Sequence, residues 1–402
     1  MTGGVEKMTL VPKLRFPEFR GMEGWQKASL GELSEVVRGG SPRPIDGYLT
    51  AAADGLNWLK IGDVDKDAKF VTQTAEKVRR EALSKTRVVN PGDLILSNSM
   101  SFGRPYILQI RTCIHDGWIA ITSITKETKR DFLYYLISAP GSQSYFVDNA
   151  AGSGVQNLNA EIIKALPVGF PTPPEQKKIA DCLSSLDELI AALARKVDAL
   201  KTHKKGLMQQ LFPREGETQP RLRFPEFRDA GEWEVKPFQK LFSIGNGRDY
   251  KHLSTGNVPV YGSGGYMCSV DNFLYDGESV CLGRKGTINK PMFLTGKFWT
   301  VDTLFFTYFF KGCLPKFVFS IFQNVNWLKH NEAGGVPSLS KTNIEKILTA
   351  VPILSEQQRI ADCLTSLDDC ITTATQELET LKTHKKGLMQ QLFPQNANEV
   401  TV

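Results

Sequence analysis

The chain has 402 residues, a net charge of +6, 41% hydrophobic residues and 23% charged residues. That length suffices for two or three domains with real cores, the composition excludes a disordered or fibrous chain, and the mild basicity permits an anionic partner without requiring one. The seven cysteines show no C-x-x-C or zinc spacing, no run approaches 18 apolar residues, and the opening MTGGVEKMTL has no apolar core, so a reduced, cytoplasmic setting is expected, with no zinc site, membrane span or secretion.

Residues 14–20 read LRFPEFR and are followed by Trp25. Residues 27–152 then show short β-rich runs, such as DLILS (93–97) and WIAITSI (118–124), separated by glycine and proline turns, with a helical segment at 131–138. From Glu175 the periodicity becomes helical. Thr172 and Glu175 have the spacing of a capping box. Apolar residues at Ile179, Leu183, Leu186, Ile190, Leu193, Val197, Leu200, Leu207 and Leu211 recur four and three apart, with Lys204 in the one missing slot. This is a heptad seam, and Pro213 stops it. At 1.5 Å per residue, the 37 residues from Glu175 to Leu211 span about 55 Å.

After a short polar linker, REGETQPR (214–221), the pattern begins again. Residues 222–228 read LRFPEFR and Trp233 follows. A second variable stretch, 235–334, carries strand-like runs at 279–282 and 304–308 and a helical segment at 316–323. Ser355 and Gln358 form a second capping signal, and a second heptad seam runs to Leu392 and stops at Pro394. Residues 200–213 and 381–394 are both LKTHKKGLMQQLFP, letter for letter, and residues 175–190 match 356–371 in register. The helices repeat at an offset of 181 and the LRFPEFR motifs at 208, so divergence is confined to the two variable stretches, the first longer by 27 residues.

Two seams of equal length most simply pair with each other. A parallel pair would put Lys204 and Lys385 in one apolar layer, whereas an antiparallel pair keeps them at opposite ends. The expected fold is therefore α+β: a first mixed α/β domain (14–174), a first spacer helix (175–213), the linker (214–221), a second domain (222–355), a second spacer helix (356–394) and a tail (395–402). The helices should form an antiparallel coiled coil, and the end of the second should return to the start of the first half, making the fold pseudo-twofold and nearly circular. The chemistry-bearing motifs are missing. Residues 283–287 (GRKGT) lack the spacing of a phosphate loop, and no [DN]-P-P-[YF], G-x-S-x-G or H-E-x-x-H occurs. No catalytic residue, metal site or cofactor is expected in this chain.

These elements together resemble the specificity subunit of type I restriction–modification systems. The likeness rests on LRFPEF with its tryptophan, a variable region, the EQ-x-x-IA entry to a long helix and KKGLMQQLFP, all present in order in both halves. Within the variable parts, WLKIGDV (58–64), PGDLILS (91–97) and GRKGT (283–287) resemble the family as well. The resemblance covers nearly the whole chain. It implies two target recognition domains, each reading one half of a bipartite, asymmetric site on double-stranded DNA. It also implies a coiled coil that sets their spacing and docks two methyltransferase subunits, with restriction subunits joining through the complex. S-adenosylmethionine, ATP and Mg would then belong to the partner subunits only. A different reading, a coiled-coil scaffold that binds proteins without recognising DNA, is separated from this one by a duplex-binding assay.

Polar, glycine-rich loops can bring donors to phosphates and base edges. In the first half the candidates for DNA contact are Arg38, Ser41, Arg43, Asn98, Ser99, Ser101, Arg104, Gln156 and Asn157. In the second they are Lys251, His252, Ser263, Arg284, Lys285, Thr287 and Lys290. Tyr261, Tyr266, Trp118 and Trp299 are candidates to stack on an extruded base, with core packing the alternative for the tryptophans. Lys204, Lys205, Lys385 and Lys386 lie in the identical repeats. They are candidates for partner docking, because halves that read different bases need no identity there.

Overall fold

The computed structural model describes residues 10–98, 102–150 and 158–394. They fall into two compact units. Unit 1 comprises the described residues of 1–192 together with 378–394, and unit 2 comprises 193–377. Each long helix therefore contributes to both units. The helices run Pro173–Leu211 and Leu354–Leu392. The first begins on two prolines, which suit the first turn because their missing N–H groups would have no helical partner there.

In unit 1 a five-stranded sheet has the order Glu35–Arg38, Trp118–Thr122, Leu94–Ser97, Pro105–Leu108, Phe70–Val71. All its ladders are antiparallel except the parallel edge pair of Phe70–Val71 with Pro105–Leu108. Leu94–Ser97 and Pro105–Leu108 are buried along their whole length, as expected of strands covered on both faces. A second sheet orders Glu76–Val78, Leu56–Leu59, Thr112–Ile114 and Arg87–Val89, with Leu56–Leu59 parallel to Thr112–Ile114. Unit 2 repeats this plan. One sheet orders Ser243–Asn246, Leu304–Tyr308, Ser279–Gly283 and Met292–Leu294. The other orders Gly265–Val270, Thr255–Gly262, Lys297–Thr300 and Tyr275–Asp276, again with one parallel pair at its centre. The two variable stretches thus share a topology that their sequences no longer show.

The LRFPEFR motif closes each unit. In unit 1 Arg15 donates to both oxygens of the buried Glu175 carboxylate at 2.9 and 2.7 Å, and Trp25 Nε1 donates to it at 3.3 Å. The next-door Leu14 N–H donates to Gln391 O at the far end of the second long helix, and the Trp25 ring meets Phe132 and Phe393 edge-on. In unit 2 Arg223 holds Glu356 at 2.8 and 2.7 Å, Leu222 N–H donates to Gln210 O, and Trp233 meets Phe212 and Phe317. Each motif therefore ties the start of one long helix to the end of the other. Gln176 and Gln357, fully buried beside the glutamates, each accept one backbone N–H and donate to two carbonyls, so each buried amide is itself fully partnered.

This geometry corrects the expected helix caps. Glu175 is turned to Arg15 and Trp25 rather than to Thr172. Ser355 lies inside the second helix, and Gln358 bonds Asp362 instead. A charged partner for a buried carboxylate outweighs a capping bond of about 1 kcal/mol.

Candidate nucleic-acid interface

In unit 1 the candidate loop 38–43 folds onto the turn 115–117, which links Thr112–Ile114 of one sheet to Trp118–Thr122 of the other. Gly39 makes this possible: a Cβ there would lie 2.3 Å from His115 O, and the glycine N–H donates to Trp118 O at 2.8 Å. Unit 2 uses the same device at Gly247, where a Cβ would lie 1.9 Å from Val301 O.

The hub of the unit 1 cluster is Asp116. Its carboxylate accepts from Ser41 Oγ at 2.8 Å, lies 3.1 Å from His115 Nδ1 and 3.5 Å from the Arg43 guanidinium. Its backbone oxygen accepts from Arg38 Nε at 2.9 Å and Asn98 Nδ2 at 3.0 Å. Burial pushes the Asp116 carboxyl up, but the Ser41 hydroxyl and the neighbouring His115, Arg38 and Arg43 outweigh it and hold it below the usual carboxylate range. Arg87 joins through its Nε bond to Arg38 O at 3.2 Å. The result is a platform of three exposed guanidiniums around Asp116, Arg38 and Arg87 held by backbone oxygens and Arg43, 83% exposed, beside the carboxylate. Such pre-ordered cations suit phosphate and base-edge contacts.

Not every candidate joins this platform. Asn98 is only 2% exposed, and its amide holds Asp116 rather than facing out. Arg104 is held elsewhere, on Lys66 O and Asp67 Oδ1. Ser99, Ser101, Gln156 and Asn157 lie outside the described residues. Asp116 and Arg87 were not singled out from the sequence. The Asp116–Gly117 pair between two β-rich runs is a turn signal that could have located the hub, although the strands it joins lie in different sheets.

In unit 2 the candidates lie mainly on three loops, two of which touch. Residues 284–287 are pinned by Arg284 and Lys285 N–H bonds to Thr303 O, by Gly286 N–H to Pro337 O and by Leu339 N–H to Arg284 O. Arg284 and Lys285 are exposed, Thr287 is half-buried, and Lys290 is exposed beyond the loop. Ser263, in the turn of the hairpin formed by Thr255–Gly262 and Gly265–Val270, lies against Gly286, its Oγ 3.4 Å from where a Cβ would stand. Lys251 and His252 are exposed on a further loop, with the His252 ring edge-on to Trp299, whose Nε1 donates to Arg248 O at 2.9 Å. Trp118 and Trp299 are buried in the cores, so neither is open to a base; Tyr266 is.

The docking candidates divide in the same way. Lys204 is 8% exposed and donates to both oxygens of Asp368 at 2.6 and 2.7 Å and to Gln323. Lys385 bonds Asp187, which also accepts from Tyr135 OH at 2.6 Å. Both lysines are committed within the chain, whereas Lys205 and Lys386 are exposed.

Among the described residues, no group of His, Cys, Asp and Glu could hold a metal ion. Burial pushes the thiols of Cys113 and Cys313 up to about 11 and that of Cys281 to about 12, which keeps them protonated and unreactive. None of the described helices is long and apolar enough to cross a membrane.

A family model described as the type I restriction modification DNA specificity domain matches residues 22–202 and 230–383. The specificity subunit of the type I restriction enzyme MjaVIII from Methanocaldococcus jannaschii is 23% identical over 94% of this chain and 95% of its own length. The crystal structure of a type I restriction–modification S subunit from M. genitalium superposes with a TM-score of 0.63 at 16% identity, covering 96% of this chain and 99% of that one. A second structure, from work on assembly and conformational transition of the type I system, gives a TM-score of 0.56 at 14% identity over 92% of this chain and 98% of that one.

Proposed function

The chain belongs to the type I restriction–modification DNA specificity family, and from that membership we propose that it selects the DNA site for a complex whose chemistry resides in other subunits. One observation carries this reading. Two frames that repeat each other in sequence, letter for letter at their ends, hold two heads that share a topology and diverge in sequence. A reader of a split, asymmetric site needs heads that differ, because base edges are read by side chains. A spacer that binds two copies of one partner needs frames that agree.

On this reading, the Asp116 platform serves one half of a bipartite site on double-stranded DNA, and the 263, 284–287 and 251–252 loops serve the other. The two long helices pair antiparallel as a coiled coil and set the gap between the half-sites. The support for this pairing is numerical. An antiparallel pair keeps the sum of facing residue numbers constant, and Lys204 with Asp368 and Lys385 with Asp187 both add to 572. Two methyltransferase subunits dock on the repeated helix ends, where Lys205 and Lys386 are identical between the halves and exposed. Restriction subunits join through that complex. S-adenosylmethionine, ATP and Mg are bound by the partners, and the assembly works in the cytoplasm.

The test is reconstitution with the cognate methyltransferase. The expected result is two methyltransferase subunits per chain and salt-dependent binding that discriminates among duplexes, with no methylation or cleavage by the chain alone. K205E with K386E should lower methyltransferase recovery. Methylation by the chain alone, or a complex that binds all duplexes equally, would contradict the proposal.

A further inference from the structure

The hairpin of Thr255–Gly262 and Gly265–Val270 in unit 2 is closed by the two-residue turn Ser263–Gly264 and pairs Tyr261 with Tyr266. Tyr261 packs inward against the cluster of Cys281, Phe298, Leu304 and Phe306. Tyr266 does not. Its ring stands edge-on to Tyr261 at 6.1 Å and 74°, its hydroxyl is 3.1 Å from Ser269 Oγ, and it remains 63% exposed. The ring is therefore held in place on two sides while most of its surface faces solvent. A large ring with an apolar sheet beside it gains by folding down. One that is instead fixed in the open is pre-organised for a flat partner, because little side-chain freedom is left to lose on binding.

The surroundings identify that partner. The turn next to Tyr266 touches Gly286, within the pinned loop that presents Arg284 and Lys285. An aromatic face flanked by exposed cations on one hairpin and its neighbouring loop suits a base with phosphates on either side. The matching sheet of unit 1 has no such ring among its described residues. Its tryptophan, Trp58, is buried.

We propose that Tyr266 stacks on a base opened from the duplex stack in the half-site read by unit 2, while Arg284 and Lys285 hold the adjoining phosphates. This rests on the specificity reading above and adds to it a residue and a contact. The probe is a duplex carrying the bipartite site mapped from DNA methylated by the wild-type complex, with 2-aminopurine placed in turn at positions of each half. Binding of the complete complex should keep 2-aminopurine quenched at one position of the second half, where the probe stacks on Tyr266. Y266A should weaken binding about tenfold, within the range of one lost base–aromatic stack, and abolish that quench. Its salt dependence should match that of the wild type, because no phosphate contact is lost, whereas K285A should shallow the slope by about one. Y266F keeps the ring and should behave as the wild type.

Methyltransferase recovery and melting of the Y266A complex are expected to be unchanged, which separates loss of a contact from loss of fold. Y266A binding within twofold of the wild type, or Y266F failing as badly as Y266A, would overturn the stacking role. A wild-type complex that binds its mapped site no better than a scrambled duplex would instead overturn the specificity reading, and this role with it.

Discussion

Each seam lysine should be worth keeping only while its aspartate is present. Lys204 fills a slot that the heptad pattern reserves for an apolar side chain, and its ammonium is satisfied by Asp368 and by Gln323 at 2.9 Å. The aspartate is also placed for one register. At the same heptad position, the second helix carries Ala361 one heptad before and Thr375 one heptad after, and the first helix carries Ala180 and Ala194 around Asp187. A slip of seven residues either way would leave both lysines facing alanine or threonine. D368A should therefore be costly. Breaking a buried pair by removing one partner costs about 3–5 kcal/mol, and because the Asp368 side chain is 38% exposed, water and Gln323 recover part of it, leaving about 2 kcal/mol. K204M should be close to neutral, since methionine suits the seam and Asp368 can hydrate. K204M/D368A should return to within about 1 kcal/mol of the wild type, a coupling of about 1–2 kcal/mol. The assay is urea unfolding of the purified chain followed by fluorescence, with Trp233 and Trp327 buried in unit 2 as reporters. If the double variant is as unstable as D368A, the pair does not act as a unit and the register argument fails.

Two further outcomes follow from the frame. R15A leaves the Glu175 carboxylate buried with only the 3.3 Å bond from Trp25, so unit 1 should lose about 3–5 kcal/mol and become the first site of proteolysis; equal protease resistance in variant and wild type would deny the motif its closing role. Inserting one heptad into both long helices, near Leu193 and Ala374, keeps the seam and adds about 10 Å, or roughly three base pairs of B-DNA. Methylated sites should keep both half-sequences, show a longer gap and react more slowly, because the added pairs also rotate one half-site by nearly a third of a turn. An unchanged gap at full rate would mean the spacing is set elsewhere.

What was legible in the sequence is what repeats or oscillates. The two seams, their proline stops and the confinement of divergence were all visible, and the runs at 94–97, 279–282 and 304–308 are strands as expected. What stayed hidden depends on contacts distant along the chain. Arg15 and Glu175 are 160 residues apart, so LRFPEFR could be seen to recur without showing what it holds, and Glu175 looked like a capping residue. Asp116 gathers residues from 38 to 43 and from 98, and no local pattern marks a carboxylate as the centre of a basic platform. The seam lysines illustrate the same limit. Their identity between halves suggested an external partner, yet the structure gives each an internal one, and only Lys205 and Lys386 are left facing out.

The most direct measurement is base-resolution mapping of methylated adenines in cells that express this chain with its methyltransferase. The account predicts one motif made of two different half-sequences separated by a gap of fixed length, lost when the chain is deleted. Exchanging the second variable stretch, 235–334, for that of another family member should change one half-sequence and leave the other and the gap intact. A single uninterrupted motif, or a motif that survives deletion of this chain, would contradict it.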